Sequence, residues 1–366
     1  MITVPWWRTS FGEEEVRKLA EAVSQEHISQ GPVTELFEQQ IAESLGVPYA
    51  VATTSGSTAL LLALLALGIG RDDEVIVPNR TWIASAHAVM LAGAKVVLVD
   101  VCPDTPSMDP SQIKQKITSR TKAIMPVHLA GRSVDMEAVR TIAEEYGLMV
   151  IEDACQALFS KNASGYLGTQ SNAGCFSLAV TKLISTGQGG IVVTKSEETY
   201  QQLSLLRTHG VPSIFTDTWD QFGFNFKFTD LLASFGLVQL SQAPARIAHV
   251  NELYAKYASA IHEFPFLKLI PVNVERDEIP LYVEVLCSDR EQLVEFLESH
   301  GVQSRSLPPD LHESPYLDNW GEFPNSRKFA EQGLMLPSGP TQPLENIDRV
   351  LEALTLYRKQ SAARSP

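Results

Sequence analysis

Between residues 49 and 193 the chain alternates short β-branched runs with longer stretches whose apolar residues recur at helical spacing, and no other feature limits its fold as strongly. The runs at 50–53, 74–77, 95–99, 122–126, 149–152, 174–178 and 190–193 read as strands. Helical patterns occupy 13–24, 34–45, 57–67, 83–91, 110–117, 135–146 and 197–206. Parallel neighbours in a sheet need a crossover, so this alternation predicts a mainly parallel central sheet flanked by helices. In such a sheet the functional groups gather at the carboxyl ends of the strands.

Two further helical stretches, 229–240 and 243–264, close this region, and the pattern changes near 267–271. A strand at 281–286 and helices at 289–300 and 344–357 read as a smaller α+β unit. The expected division is a large domain over 1–245 and a small one over 246–366, with 359–366 as a frayed end. A chain of 366 residues that is 44% hydrophobic can bury cores of this size.

Charge and cysteine usage exclude several classes of function. A formal net charge of -14 is the wrong sign for a nucleic-acid surface, which needs clustered Lys and Arg. The four cysteines, Cys102, Cys155, Cys175 and Cys287, lie far apart without zinc-type spacing, so they read as reduced thiols and no metal is expected. Segment 1–8 lacks the apolar core of a signal peptide. The longest apolar run, 59–69, is about half of the roughly 20 residues that cross a bilayer. A cytoplasmic protein with no membrane association is expected.

The chemistry concentrates at predicted strand ends. Val150, Ile151 and Glu152 lead into Asp153, which places a carboxylate over the crevice above the sheet. Lys182 stands between the strand ending near Ser177 and the glycine-rich turn Gly187, Gln188, Gly189, Gly190. Pyridoxal phosphate chemistry needs a lysine amine to hold the aldehyde as a Schiff base, and an acid to keep the pyridine nitrogen protonated. Asp153 and Lys182 supply that pair, although each alone reads as a helix cap or a surface lysine.

The turn Thr53, Thr54, Ser55, Gly56, Ser57, Thr58 offers amides and hydroxyls to an anion at a helix N-terminus, though a plain Ser/Thr cap would look the same. It lacks the lysine of a nucleotide P-loop. Trp82 follows another strand end and can stack on a planar ring or simply pack the next helix. His128 and His209 sit where each could touch substrate or serve structure.

These blocks together resemble the DegT/DnrJ/StrS family of nucleotide-sugar aminotransferases, within the fold type I group. Gly31, Pro32, Phe37 and Glu38 look like its entry helix, and Ser55, Gly56, Ser57, Ala59 and Leu60 like its serine-glycine turn. Thr81 and Trp82, then Pro126 to Leu129 with Gly131, Asp135 and Met136, are similar to its next blocks. Glu152, Asp153, Ala154, Gln156 and Ala157 resemble its cofactor-acid block, and Phe176, Ser177, Thr181 and Lys182 its lysine block.

The resemblance implies that Lys182 carries the cofactor, Asp153 pairs with the pyridinium nitrogen, Gln156 bonds the phenolic oxygen and Trp82 stacks on the ring. Gly56, Ser57 and Ser177 would hold the phosphate. Gly223, Phe224, Asn225 and Phe226 resemble a loop whose asparagine reaches the phosphate of the neighbouring subunit, which implies a homodimer. Gln188 stands where the family usually has glutamate, Ser57 where threonine is commoner, and Asn172 where aspartate is frequent. Lys182 separates the chain from relatives that dehydrate sugars and carry histidine there.

The implied activity moves an amino group from glutamate to a keto sugar linked to a nucleotide, in aminosugar biosynthesis. A fold type I enzyme acting on a cyclitol or another ketone stays open, because nothing in 211–222 fixes the acceptor. So does a non-catalytic regulator that binds pyridoxal phosphate, against which Asp153 and Lys182 argue. A bare Rossmann-type module would need a glycine fingerprint that is missing.

Overall fold

A computed structural model describes residues 3–212, 218–317 and 321–364. Part of segment 211–222 and the last two residues of the tail therefore lie outside the described residues. The chain runs through α1 (Glu13–Ser24), α2 (Pro32–Leu45), β1 (Tyr49–Thr53), α3 (Gly56–Ala66), β2 (Glu74–Pro78), α4 (Ala84–Leu91) and β3 (Lys95–Val99). It continues with β4 (Thr121–Ile124), α5 (Met136–Tyr146), β5 (Met149–Asp153) and a hairpin of β6 (Lys161–Asn162) and β7 (Gly165–Tyr166). Then follow β8 (Ala173–Ser177), β9 (Gly190–Thr194), α6 (Glu197–Arg207), α7 (Asp230–Ser241) and α8 (Ala243–Ile261). The C-terminal part holds β10 (Leu267–Leu269), β11 (Val283–Cys287), α9 (Arg290–Ser299), β12 (Arg305–Ser306), α10 (Pro324–Gln332), β13 (Gly333–Leu336) and α11 (Leu344–Arg364).

The large sheet has the order β1-β9-β8-β5-β4-β2-β3. Its pairs are parallel except at β9, which runs antiparallel to both β1 and β8. The mainly parallel sheet is thus as expected, with β9 as its one reversed strand. Strands β1, β2, β5 and β8 all end on the same edge, which brings Thr53, Pro78, Asp153 and Ser177 together. β10, β11, β13 and β12 form a second, antiparallel sheet that packs with α8, α9 and α11 around Tyr257, Leu293, Leu334 and Ile347. The division expected at 245/246 falls inside the first turn of α8.

Three expectations about elements need correction. Segment 110–117 is two short 3-10 turns, Pro110–Gln112 and Lys114–Lys116, instead of one α-helix. Asp109 accepts from the Ser111 amide and hydroxyl, a local side-chain bond that closes a tight turn where an α-helix was expected to start. The C-terminal region is richer in strands than its sequence pattern suggests, because β12 has two residues and β13 four, too short for alternation to register. The backbone of 359–364 continues α11 where a frayed end was expected.

α3 shows how the large core is built. Ala59 to Leu64 are all buried, so this helix is apolar around its whole circumference and packs inside the protein. It begins at Ser55, whose hydroxyl accepts from the Thr58 amide while the Thr58 hydroxyl accepts from the Ser55 amide. No described helix is long and apolar enough to cross a membrane.

Beneath the carboxyl edge, Glu152 and His128 form a fully buried pair with Nε2 to Oε2 at 3.0 Å. The Val134 amide donates to His128 Nδ1, so the ring proton sits on Nε2 and is donated to Glu152. Amides of Gly168 and Gln170 and the Ser171 hydroxyl also donate to that carboxylate. Burial pushes its pKa up, but the His128 and other donors outweigh burial and hold it below the ordinary glutamate value. His128 is therefore a structural residue and does not reach substrate, which corrects one of its two sequence readings.

A carboxyl with a depressed folded-state pKa adds stability that is complete above its unfolded value of about 4.3 and is lost as pH falls through the lower folded value. Glu152→Gln is expected to cost about 1–3 kcal/mol at neutral pH. Its melting temperature should also approach that of the wild type as pH falls below about 4.3. Thermal melts from pH 3 to 8 check both, and an unchanged neutral melting temperature would contradict the assigned role.

Candidate active site

The carboxyl edge of the large sheet opens into a cavity of about 330 Å³. Gly56, Ser57, Trp82, Asp153, Gln156, Ser177 and Lys182 all line it. Asn225 does not: it is exposed on a segment bridged to Thr208. His209 is exposed with a positive φ of 56° and is also absent from the cavity wall.

Asp153 ends β5 and is 5% exposed. Its Oδ2 accepts from the Ser85 hydroxyl at 2.7 Å and its Oδ1 from the Cys155 amide at 3.1 Å. Thr81 lies 3.0 Å from the same Ser85 hydroxyl. Among the described residues Asp153 has no ion-pair partner, so a buried carboxylate faces the cavity with unused acceptor capacity.

Lys182 lies in the turn after β8, and its amine makes no hydrogen bond or ion pair among the described residues. Two distant parts of the chain fix that turn. The Tyr282 hydroxyl donates to the Thr181 carbonyl at 2.9 Å, and the Trp7 indole N–H donates to the Val180 carbonyl at 2.9 Å. Cys155 lies between the charges: burial first and Asp153 next push its thiol pKa well up, with Lys182 opposing. The thiol is protonated at neutral pH and is a poor nucleophile.

The N-terminus of α3 presents Ser55, Gly56 and Ser57 to the same cavity, beside Ser177. First-turn amides of a helix attract anions. Gly56 is required by close approach, since an added Cβ would lie 2.9 Å from Ser177 Cβ and 3.0 Å from Cys155 Sγ. Gln156 is oriented by the Ala130 amide, which donates to its Oε1 at 2.9 Å and leaves the Nε2 donors without a partner among the described residues. Trp82, half exposed, forms a flat wall.

Sequence reasoning did not find Ser85, Trp6, Tyr282 or Arg305. Ser85 lies within a predicted helix, and a serine there carries no local signal of a carboxylate partner. Trp6, Tyr282 and Arg305 reach the cavity from the N-terminal strap and the second sheet, contacts that no local pattern encodes. Asn172 proves remote from the cavity: its side chain accepts from the Val150 amide and ties the start of β8 to β5. Gln188, by contrast, lines the cavity.

The model of the DegT/DnrJ/EryC1/StrS aminotransferase family matches residues 9–355. The chain is 34% identical to a GDP-perosamine synthase of Escherichia coli O157:H7 over 363 residues, covering 97% of this chain and 98% of that one. Its fold matches that of DesV from S. venezuelae, solved in complex with a ketimine intermediate, with TM-score 0.93 and 31% identity over 98% of this chain and 99% of that one. NtdA from Bacillus subtilis, solved with bound cofactor PMP, matches with TM-score 0.88 and 30% identity over 95% of this chain and 82% of that one. The chain belongs to the DegT/DnrJ/EryC1/StrS aminotransferase family, and its fold is that of fold type I.

Gly56→Ala is expected to cost about 1–3 kcal/mol, because β8 or the α3 N-terminus has to move to admit the methyl group. Ser57→Ala, one position along, should change stability by less than about 0.5 kcal/mol. Denaturant melts of the two variants check this; equal stability would contradict the close approach.

Proposed function

We propose that this member of the family is a transaminase that uses pyridoxal phosphate on Lys182 to move an amino group from an amino acid, glutamate, to a nucleotide-linked keto sugar. One observation carries the reading: a lysine amine and a buried carboxylate, neither with an ion-pair partner among the described residues, share a single cavity with a helix N-terminus. The relation to a GDP-perosamine synthase supports the nucleotide-sugar class.

The residues fit the cofactor group by group. Lys182 suits its aldehyde, Asp153 its ring nitrogen, and the Nε2 of Gln156 its phenolic oxygen. The Gly56 and Ser57 amides, with the Ser57 and Ser177 hydroxyls, suit its phosphate. A Cβ at Gly56 would intrude between α3 and Ser177, in keeping with a cradle closed around a small anion.

When bound, pyridoxal phosphate supplies an electron-withdrawing ring that stabilises the charge left on a substrate carbon after its proton departs. The chain's own residues do the rest. Asp153, held by Ser85 and the Cys155 amide, keeps a proton on the ring nitrogen. Lys182 would hold the aldehyde carbon, and its amine, when free, would move the proton from the donor's α-carbon to that aldehyde carbon. In the second half-reaction the same amine would carry a proton back from that carbon to the sugar carbon that receives nitrogen. Trp82, on the cavity wall, would cover the ring face and limit water.

Asn225 belongs to the same proposal as a contribution to the neighbouring subunit's phosphate site. Its exposure and its place beside exposed Phe222 support a homodimer with shared sites. Four unpaired cysteines support a reducing compartment, the cytoplasm.

Purified protein should be yellow, bleach with glutamate and recover its colour with the correct keto sugar. Lys182→Ala should lose the yellow form and lower turnover by about 10²-fold or more. Persistent turnover in that variant would contradict the assignment. Ser85→Ala should stay folded but hold the cofactor roughly fivefold more weakly, a loss of about one hydrogen bond. Equilibrium dialysis reads that change, and unaltered retention would remove Ser85 from the site.

A further inference from the structure

Arg305, in β12, lies at the mouth of the cavity that holds Lys182 and Asp153. Its guanidinium carbon sits 5.1 Å from the ring centre of Trp6 and 5.8 Å from that of Trp82. A cation over an indole face is attracted to it, and a guanidinium held by ring faces keeps its N–H edge for an in-plane partner. The Arg305 guanidinium forms no ion pair or hydrogen bond among the described residues. The other charged side chains on the cavity wall, Asp153 and Lys182, are already engaged in the proposed chemistry. Arg305 is thus the remaining cation of the described wall.

The arrangement is preorganised. Trp6 belongs to an N-terminal strap stitched to the second sheet: its amide donates to Gln303 Oε1 at 3.2 Å and its carbonyl accepts from the Ser338 amide at 2.8 Å. The Gln342 side chain donates to the Pro5 carbonyl at 2.6 Å. Trp82 comes from the opposite side of the cavity, just past β2. Arg305 is therefore positioned before any substrate arrives, which lowers the ordering cost of binding.

A chain of net charge -14 repels anions at long range, so an anionic substrate needs a local cation. An amino donor carries its α-carboxylate on the same carbon as the amine that must reach Lys182, so its anchor belongs in the Lys182 cavity. The diphosphate of a sugar nucleotide is separated from a ring carbonyl by the breadth of the sugar and falls farther from Lys182. We propose that Arg305, held between Trp6 and Trp82, binds the α-carboxylate of the amino donor. The proposal rests on the transaminase reading above and assigns the donor subsite within it. A planar guanidinium gives a carboxylate two parallel N–H···O bonds, which an ammonium cannot reproduce.

The test uses holoenzyme and its Arg305→Gln and Arg305→Lys variants. Bleaching of the yellow form by L-glutamate, without any keto acceptor, gives the half-saturating concentration. Arg305→Gln should raise it roughly tenfold or more, and Arg305→Lys should recover part of the loss. Guanosine diphosphate binding, followed by tryptophan fluorescence, should change less than about twofold. Cofactor absorbance and melting temperature establish that each variant is folded, and Arg305→Lys carries the test if Arg305→Gln is not. Unchanged glutamate saturation, or a loss confined to nucleotide binding or equal for both ligands, overturns the proposal. Wild-type protein that no amino acid bleaches would instead sink the transaminase reading, and the proposal with it.

Discussion

The site depends on a carboxylate buried without a counter-ion. Asp153 is held at the end of β5 by the Ser85 hydroxyl and the Cys155 amide, and no cation among the described residues meets it. A buried carboxylate with spare acceptor capacity is costly unless something meets it, and a cationic ligand in the cavity would offset that cost. The protonated nitrogen of a pyridine ring is such a ligand, and the amine of Lys182, the flat wall of Trp82 and the N-terminus of α3 stand around the space it would fill.

Holding these groups together takes more than the large sheet. The parallel strands deliver Asp153 and Ser177 to one edge, but the turn that bears Lys182 is pinned from outside. Trp7 in the N-terminal strap and Tyr282 just before β11 bond two consecutive carbonyls, Val180 and Thr181, just before the lysine. Their rings also meet edge to face at 5.3 Å. The strap and the second sheet thus help to fix the backbone that carries the lysine. The buried pair of Arg80 and Asp310, at 2.8 Å, ties the loop before Trp82 to the segment after Arg305.

Much of this was legible in the sequence, and what was missed has a physical cause. Strand ends show locally, because a β-branched run followed by a polar or glycine-rich turn marks the carboxyl edge; Gly56, Ser57, Trp82, Asp153, Gln156, Ser177 and Lys182 all stand at such ends or next to them. Residues that reach the cavity across long separations leave no periodic trace, as with Trp6 and Arg305. His128 looked like a candidate ligand because a strand end can place a side chain in the crevice or in the layer beneath it, and only the Glu152 contact decides which. Segment 110–117 has helical spacing, but the Asp109 side chain closes a tight turn at its start and the backbone follows 3-10 geometry.

The most direct measurement is to reduce the cofactor-loaded protein with borohydride, digest it and locate the modified peptide by mass spectrometry. The account expects the pyridoxyl group on Lys182 in the wild type, with no other lysine labelled to a comparable extent. A label on a different lysine, or none after loading with pyridoxal phosphate, would contradict it.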